Sequence, residues 1–176
     1  MRLNALTSSG RGPYALFEHV TEAWEIPLEG YILTGFRGFE NLIAATIGRL
    51  TVTIPIPIPA QQEFPGFRSG EQTLTPARTL EFSRTRKLIP GGDFTRSFHH
   101  GIVMLAALTA IQDGTMEDLP TLLEPLSQFT STNLTATDLI QLGAIAMEMD
   151  IADITNEGLP GQLGRAGGGQ SVVLLD

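Results

Sequence analysis

The chain has 176 residues, no cysteine, 42% hydrophobic and 17% charged residues, and a formal net charge of −8. This is one ordinary globular domain rather than two domains or a disordered chain. A disulfide framework, a thiolate metal site and a cysteine nucleophile are excluded, and the acidic balance argues against generic nucleic-acid binding, which draws its affinity from Lys and Arg on phosphates.

Met1 to Leu6 runs at once into the polar Thr7-Ser8-Ser9-Gly10, so no signal-peptide core is expected. Gly12-Pro13 opens a predicted helix through Tyr14 to Trp24, with Leu16, Phe17, Val20 and Trp24 at helical spacing. Tyr31-Ile32-Leu33 is a short strand between Gly30 and Gly35. Phe36 to Ile47 is a second helix, with Phe36, Phe39, Ile43 and Ile47 on one stripe, and Gly48 ends it.

Leu50 to Ile54 is a predicted strand that enters Pro55-Ile56-Pro57-Ile58-Pro59. Alternate prolines remove every second backbone donor, so the segment is a sheet edge or a polyproline-type ribbon. A loop follows to Gln72, and Thr75-Pro76 opens a helix to about Arg86. Pro90-Gly91-Gly92 is a tight loop before the longest helix, Asp93 to Gln112. Two more helices are expected at Met116 to Phe129 and Thr135 to Met149, where Thr135 and Asp138 form a start signal. The Gly167-Gly168-Gly169 loop leads to a terminal strand at Ser171 to Leu175. The expected class is an α/β layered domain, helices packed on a small sheet that includes the strands near Tyr31, Val52 and Val172. The longest apolar stretch, Gly101 to Ile111, is too short to span a bilayer and is broken by Thr109. On these grounds alone the chain is expected to stay in the cytoplasm.

The positive charge is uneven. Arg78, Arg84, Arg86, Lys87 and Arg96 fall in one window that holds only Glu81 and Asp93 as acids, a local balance of +3 in an acidic chain. The window is either a solvated surface run or a site for an anion. Arg84 and Arg86 alternate, so an extended backbone sends both to one side. A glycine loop then delivers the chain to a helix start at Asp93, where free N–H groups and the helix dipole favour an anion. Arg96 shares a helix face with Asp93, His99 and His100 at three- and four-residue spacing. Three guanidinium forks around a helix start suit a pyrophosphate better than a carboxylate. Asp93 has three uses open to it: orienting an arginine, binding a metal, or capping the helix. Behind it run Ile102, Val103, Leu105, Ala106, Leu108 and Ile111, a stretch that suits ordinary core and also a lipid phosphate. His99 and His100 point about 100° apart on a helix and have no evident third ligand, so they make a poor zinc site.

Leu74-Thr75-Pro76-Ala77, Leu80, Phe82-Ser83-Arg84-Thr85-Arg86 and Gly91-Gly92-Asp93-Phe94-Thr95-Arg96 together resemble the hallmark segment of LytR–CpsA–Psr domains, an R-x-R pair followed by D-F-x-R at the start of a long helix. Arg2-Leu3-Asn4-Ala5 resembles the family's K/R-x-N-A element, and Phe36, Phe39 and Leu42 to Gly48 its helix before a G-G-V-x-V strand. Leu159-Pro160-Gly161 and Gly169-Gln170-Ser171-Val172-Val173 resemble its closing segment. The resemblance covers nearly the whole chain.

It implies a layered α-β-α fold with a central mixed sheet and an extracytoplasmic, membrane-anchored setting. It implies transfer of a glycopolymer (teichoic acid, capsule or arabinogalactan) from polyprenyl pyrophosphate to peptidoglycan in cell wall biogenesis. The chemistry implied is phosphoryl transfer assisted by Mg²⁺. Arg84, Arg86, Asp93 and Arg96 match the family's catalytic residues, and Arg84, Arg86, Arg96, His99 and His100 are the expected substrate-binding set. There are departures. His99, His100 and Gly101 stand where the family often has R-Q-Q, so one arginine is replaced by a donor charged only when protonated. Ala44 replaces an aspartate and Arg49 a glycine. The resemblance also implies a membrane anchor, first core strands, metal-holding aspartates and an S-x-P-R-D segment preceding Arg2-Leu3-Asn4. On that expectation residues 1–176 are the C-terminal two-thirds of the domain, poorly stable and inactive alone. Two readings follow: a glycopolymer–peptidoglycan phosphotransferase, or an inactive remnant that keeps a polyprenyl-phosphate-binding module. The family's older label of transcriptional regulator finds no basic helix-turn-helix face to support it.

Overall fold

The computed structural model describes residues 12–158, 160–166 and 170–175. The expectations on Arg2 to Ala5, Leu159 and Gly167 to Gly169 lie outside the described residues. Helix α1 (Pro13–Trp24) is followed by β1 (Ile32–Leu33), α2 (Phe36–Thr46), β2 (Leu50–Ile54), β3 (Gly70–Leu74) and α3 (Pro76–Arg84). Then come α4 (Asp93–Gln112), α5 (Leu119–Phe129), β4 (Ser131–Thr132), α6 (Ala136–Glu148), β5 (Gly161–Ala166) and β6 (Gln170–Leu175). Short 3-10 turns at Met116–Asp118 and Ile151–Asp153 precede α5 and follow α6.

The core forms where the period-2 pattern of β2 meets helices. Leu50, Val52 and Ile54 are buried while Thr51 and Thr53 face solvent. β2 pairs antiparallel with β3, from Leu50↔Leu74 to Ile54↔Gly70. Ile58, Phe67, Leu74, Phe82 and Val103 complete the buried cluster, so α3 and α4 both dock on this hairpin. The fully buried Phe82 ring alone contributes on the order of 1.5–3 kcal/mol by leaving water.

Between β2 and β3 the alternate prolines act as an edge device. Ile58 keeps its N–H and exchanges both backbone bonds with Phe67 at 2.8 Å. Gly66 makes this return possible: at φ +69 its hydrogen lies where a side chain would meet the Ile58 carbonyl at 2.4 Å.

The α/β class holds, but the single sheet does not. Strands near Tyr31, Val52 and Val172 lie in three separate antiparallel ribbons, β1–β4, β2–β3 and β5–β6. β1 and β4 are two residues long and offer too few ladder bonds to extend a sheet. Among the described residues, β2 and β3 pair only with each other, as do β5 and β6, in antiparallel hairpins. The first half of β3 falls in the stretch expected as a loop to Gln72, and β5 carries no strand prediction: their polar, Gly-containing sequences give little strand signal, and pairing with an apolar neighbour decides them. Phe36 also leaves its expected core stripe and is exposed, whereas Ile43 is buried and Phe39 and Ile47 pack on the core. Thr135 caps α6 through a reciprocal pair with Asp138, as its spacing predicts.

Candidate functional site

Three local features build the site. Thr75 caps α3 by accepting from the Arg78 N–H at 3.3 Å, and Pro76 sits in its first turn. Phe82 and Ser83 are buried, so the last residue of α3, Arg84, projects outward. Its guanidinium lies 3.8 Å from the centroid of the exposed Phe36 ring on α2. Thr85 is extended and stops the helix, and Arg86 and Lys87 follow in irregular, exposed backbone. Gly91 and Gly92, at φ +79 and +53, then reverse the chain into α4, a conformation that glycine adopts without strain.

At the start of α4, Asp93 makes no side-chain cap. Its Oδ1 instead receives Arg86 at 3.4 Å and Arg96 at 3.1 Å. Among the three uses open from the sequence, orienting arginines is the one its contacts take. These pairs are partly exposed, Arg86 by 52%, and such pairs contribute only about 0–1 kcal/mol. A ligand with several charged oxygens therefore exchanges for the carboxylate at little cost. Arg96 also carries a buried Nε with no hydrogen-bond partner among the described residues, a donor left unspent inside the site.

Arg84 and Arg86 line an open groove of about 500 Å³ with Lys87, Thr85, Leu80, Leu88 and Phe64, and Glu40 of α2 joins them. Arg96 is not among its lining residues. Arg86 is the residue common to both parts, reaching the groove on one side and Asp93 on the other.

The two histidines part company, as adjacent helical positions must. His100 is exposed beside the site. His99 is buried and stacks on Phe82, centroids 4.2 Å apart and planes at 24°. Desolvation lowers its pKa from the ordinary 6.5; the Phe82 carbonyl opposes this shift and the nearby His100 adds to it. The substrate-binding expectation for His99 is thus corrected: its ring packs in the core, because a neutral imidazole stacks where an arginine would have to expose its charge. The ring ties α4 to α3 between the two groups of arginines.

The chain matches the model of the LytR_cpsA_psr family over residues 1–176. It belongs to that family. The comparison with curated proteins finds no match. The fold is that of solved family structures. Crystallised TagV of B. subtilis is 23% identical at a TM-score of 0.83, covering 100% of this chain and 68% of that one. The crystal structure of a transcriptional regulator from Enterococcus faecalis is 22% identical at a TM-score of 0.78, covering 99% of this chain and 63% of that one. TagT, a B. subtilis protein also solved bound to LI-WTA, is in that complex 18% identical at 0.76, covering 99% and 65%.

Sequence reasoning missed Phe36, Glu40 and Phe64 as site residues. Phe36 and Glu40 lie more than forty positions before Arg84, and Phe64 twenty before it, so no spacing rule links them. Among the described residues, no group of three or more His, Cys, Asp or Glu side chains is arranged to hold a metal ion. The donor set at Asp93 does not fit Mg²⁺ by itself, since the carboxylate already faces two guanidiniums.

Proposed function

We propose that Arg84, Arg86 and Arg96 bind the pyrophosphate of a polyprenyl-linked glycopolymer, and that the protein serves its transfer to a peptidoglycan hydroxyl in cell wall biogenesis. The observation that carries the proposal is the pair of guanidiniums sharing one oxygen of Asp93 in the first turn of α4. Membership of the family and the likeness to TagT, solved bound to LI-WTA, support it.

In such a transfer the acceptor hydroxyl attacks the sugar-bearing phosphorus. The P–O bond to the polyprenyl phosphate breaks, and the hydroxyl proton is released. Charge builds on the leaving phosphate, where pre-oriented guanidiniums and the free N–H groups of a helix start stabilise it. Asp93 holds Arg86 and Arg96 in position until the phosphate displaces it. The Mg²⁺ expected from the family would neutralise further charge; among the described residues no group of side chains forms its site, and the arginines stabilise the phosphate charge without it. The lipid substrate locates the protein at the extracytoplasmic membrane face. No helix among the described residues is long and apolar enough to cross a membrane, so the anchor in this reading is not among them.

The test is calorimetric titration with a polyprenyl pyrophosphate, for the protein and for Arg86→Ala and Arg96→Ala. Loss of binding in both variants supports the assignment; unchanged affinity in both overturns it. Binding without turnover when peptidoglycan is added favours the binding-module reading over the transferase.

A further inference from the structure

The groove beside the arginines holds a carboxylate that an anion site has no use for. Glu40 lines it together with Arg84, Arg86 and Lys87. No ion pair of Glu40 is found among the described residues, whereas the other acid of the groove, Glu81, is paired with Arg78. A free carboxylate beside three cations weakens the hold on pyrophosphate by like-charge repulsion. It is useful only to a ligand that presents hydrogen-bond donors, because an ionised carboxylate only accepts.

The remaining lining points the same way. Phe64 packs one side on the core and on Phe67, with ring centroids 5.8 Å apart, and still lines the groove. Leu80 and Leu88 add apolar wall. A groove lined by an aromatic ring, apolar side chains and a carboxylate matches a sugar ring, which has an apolar C–H face and a rim of hydroxyl donors. A volume of about 500 Å³ accommodates one or two such rings. The position is also apt. Glu40 lies one helical turn after Phe36 on the same face of α2, and Arg84 rests on Phe36. The carboxylate therefore stands next to a phosphate-binding fork, where a hydroxyl has to arrive to reach phosphorus.

We infer that the groove between α2 and α3 is the subsite for the acceptor saccharide, with Glu40 accepting hydrogen bonds from its hydroxyls and Phe64 stacking on its ring. This rests on the pyrophosphate reading above, because it assigns the second substrate of the same transfer. It separates the two ligands by chemistry: guanidiniums for the donor's phosphates, a carboxylate and a ring for the acceptor's sugar.

The experiment is a two-dimensional NMR titration of residues 1–176 with the peptidoglycan disaccharide N-acetylglucosaminyl-N-acetylmuramic acid, with and without saturating inorganic pyrophosphate. The proposal expects shifts at Glu40, Phe64 and Leu88, and binding that persists when pyrophosphate is present. Glu40→Gln should weaken the disaccharide about tenfold, as expected for losing a hydrogen bond to a charged group, and leave pyrophosphate binding equal or tighter. Phe64→Leu, which keeps the core filled, should weaken only the disaccharide. Competition between the two ligands overturns the proposal, since the groove would then hold part of the donor. Disaccharide affinity unchanged in Glu40→Gln overturns it as well. Pyrophosphate that fails to bind, with disaccharide shifts still centred on Glu40, refutes the donor reading and leaves a saccharide site.

Discussion

Phe82 connects the core to the site, and truncating it tests both at once. Its ring is fully buried, meets Phe67 at 5.4 Å and stacks on His99 at 4.2 Å. Phe82→Ala removes the transfer energy of the ring and leaves a cavity, at a cost of about 3–5 kcal/mol for such a change. The two ring contacts contribute about 0.5–1.5 kcal/mol each within that total. Net stabilities of domains run to about 5–15 kcal/mol, so the variant should sit near the edge of folding. For a chain of this size about 2–4 °C of Tm accompany each kcal/mol, so a fall of roughly 6–20 °C is expected. The assay is thermal and urea unfolding followed by far-UV circular dichroism, with pyrophosphate titration well below the transition. Arg84 and Arg86 follow Phe82 by two and four residues, so pyrophosphate affinity should fall along with stability. A loss below about 1 kcal/mol would refute the view that this stack ties α3 to α4, since a truncated ring in a packed core cannot be that cheap.

Arg86→Ala and Arg96→Ala should each cost about 1.5–3 kcal/mol of pyrophosphate binding, measured by calorimetry, and Arg86→Lys should restore little because an ammonium lacks the fork. Burial depresses the pKa of His99 in the folded chain, so the unfolded chain takes up the proton first as pH falls. Stability should be fully present above pH 6.5 and decline as pH drops through the lower folded value; urea midpoints for the protein and for His99→Phe should show this component only where His99 is present. Gly101→Ala should displace Asn156, because a Cβ there would lie 2.0 Å from the Asn156 Oδ1, and with it break the bond from Asn156 Nδ2 to the Phe98 carbonyl at 2.8 Å; loss of the Asn156 side-chain amide contacts in NMR spectra is the measurement. Thr135→Ala should cost about 1 kcal/mol by removing the cap of α6, read from urea unfolding.

The amino-acid sequence determined by itself whatever is local. The bounds of α4, the cap at Thr135, the alternation in β2 and the tight turn at Gly91-Gly92 follow from periodicity, capping and glycine conformation, which act over a few residues. The cluster of Arg84, Arg86, Asp93 and Arg96 was legible for the same reason, since its members lie within thirteen positions. Tertiary structure decided what depends on long-range contact. The polar strands β3 and β5 exist because partners satisfy their backbones, a gain that no propensity records. Whether a histidine one turn beyond Arg96 faces a ligand or the core depends on where Phe82 packs, and packing sends His99 inward and His100 outward. Glu40, Phe36 and Phe64 enter the site only because α2 and the proline-edged loop fold back against α3, bringing together groups whose encounter the chain's local preferences leave open.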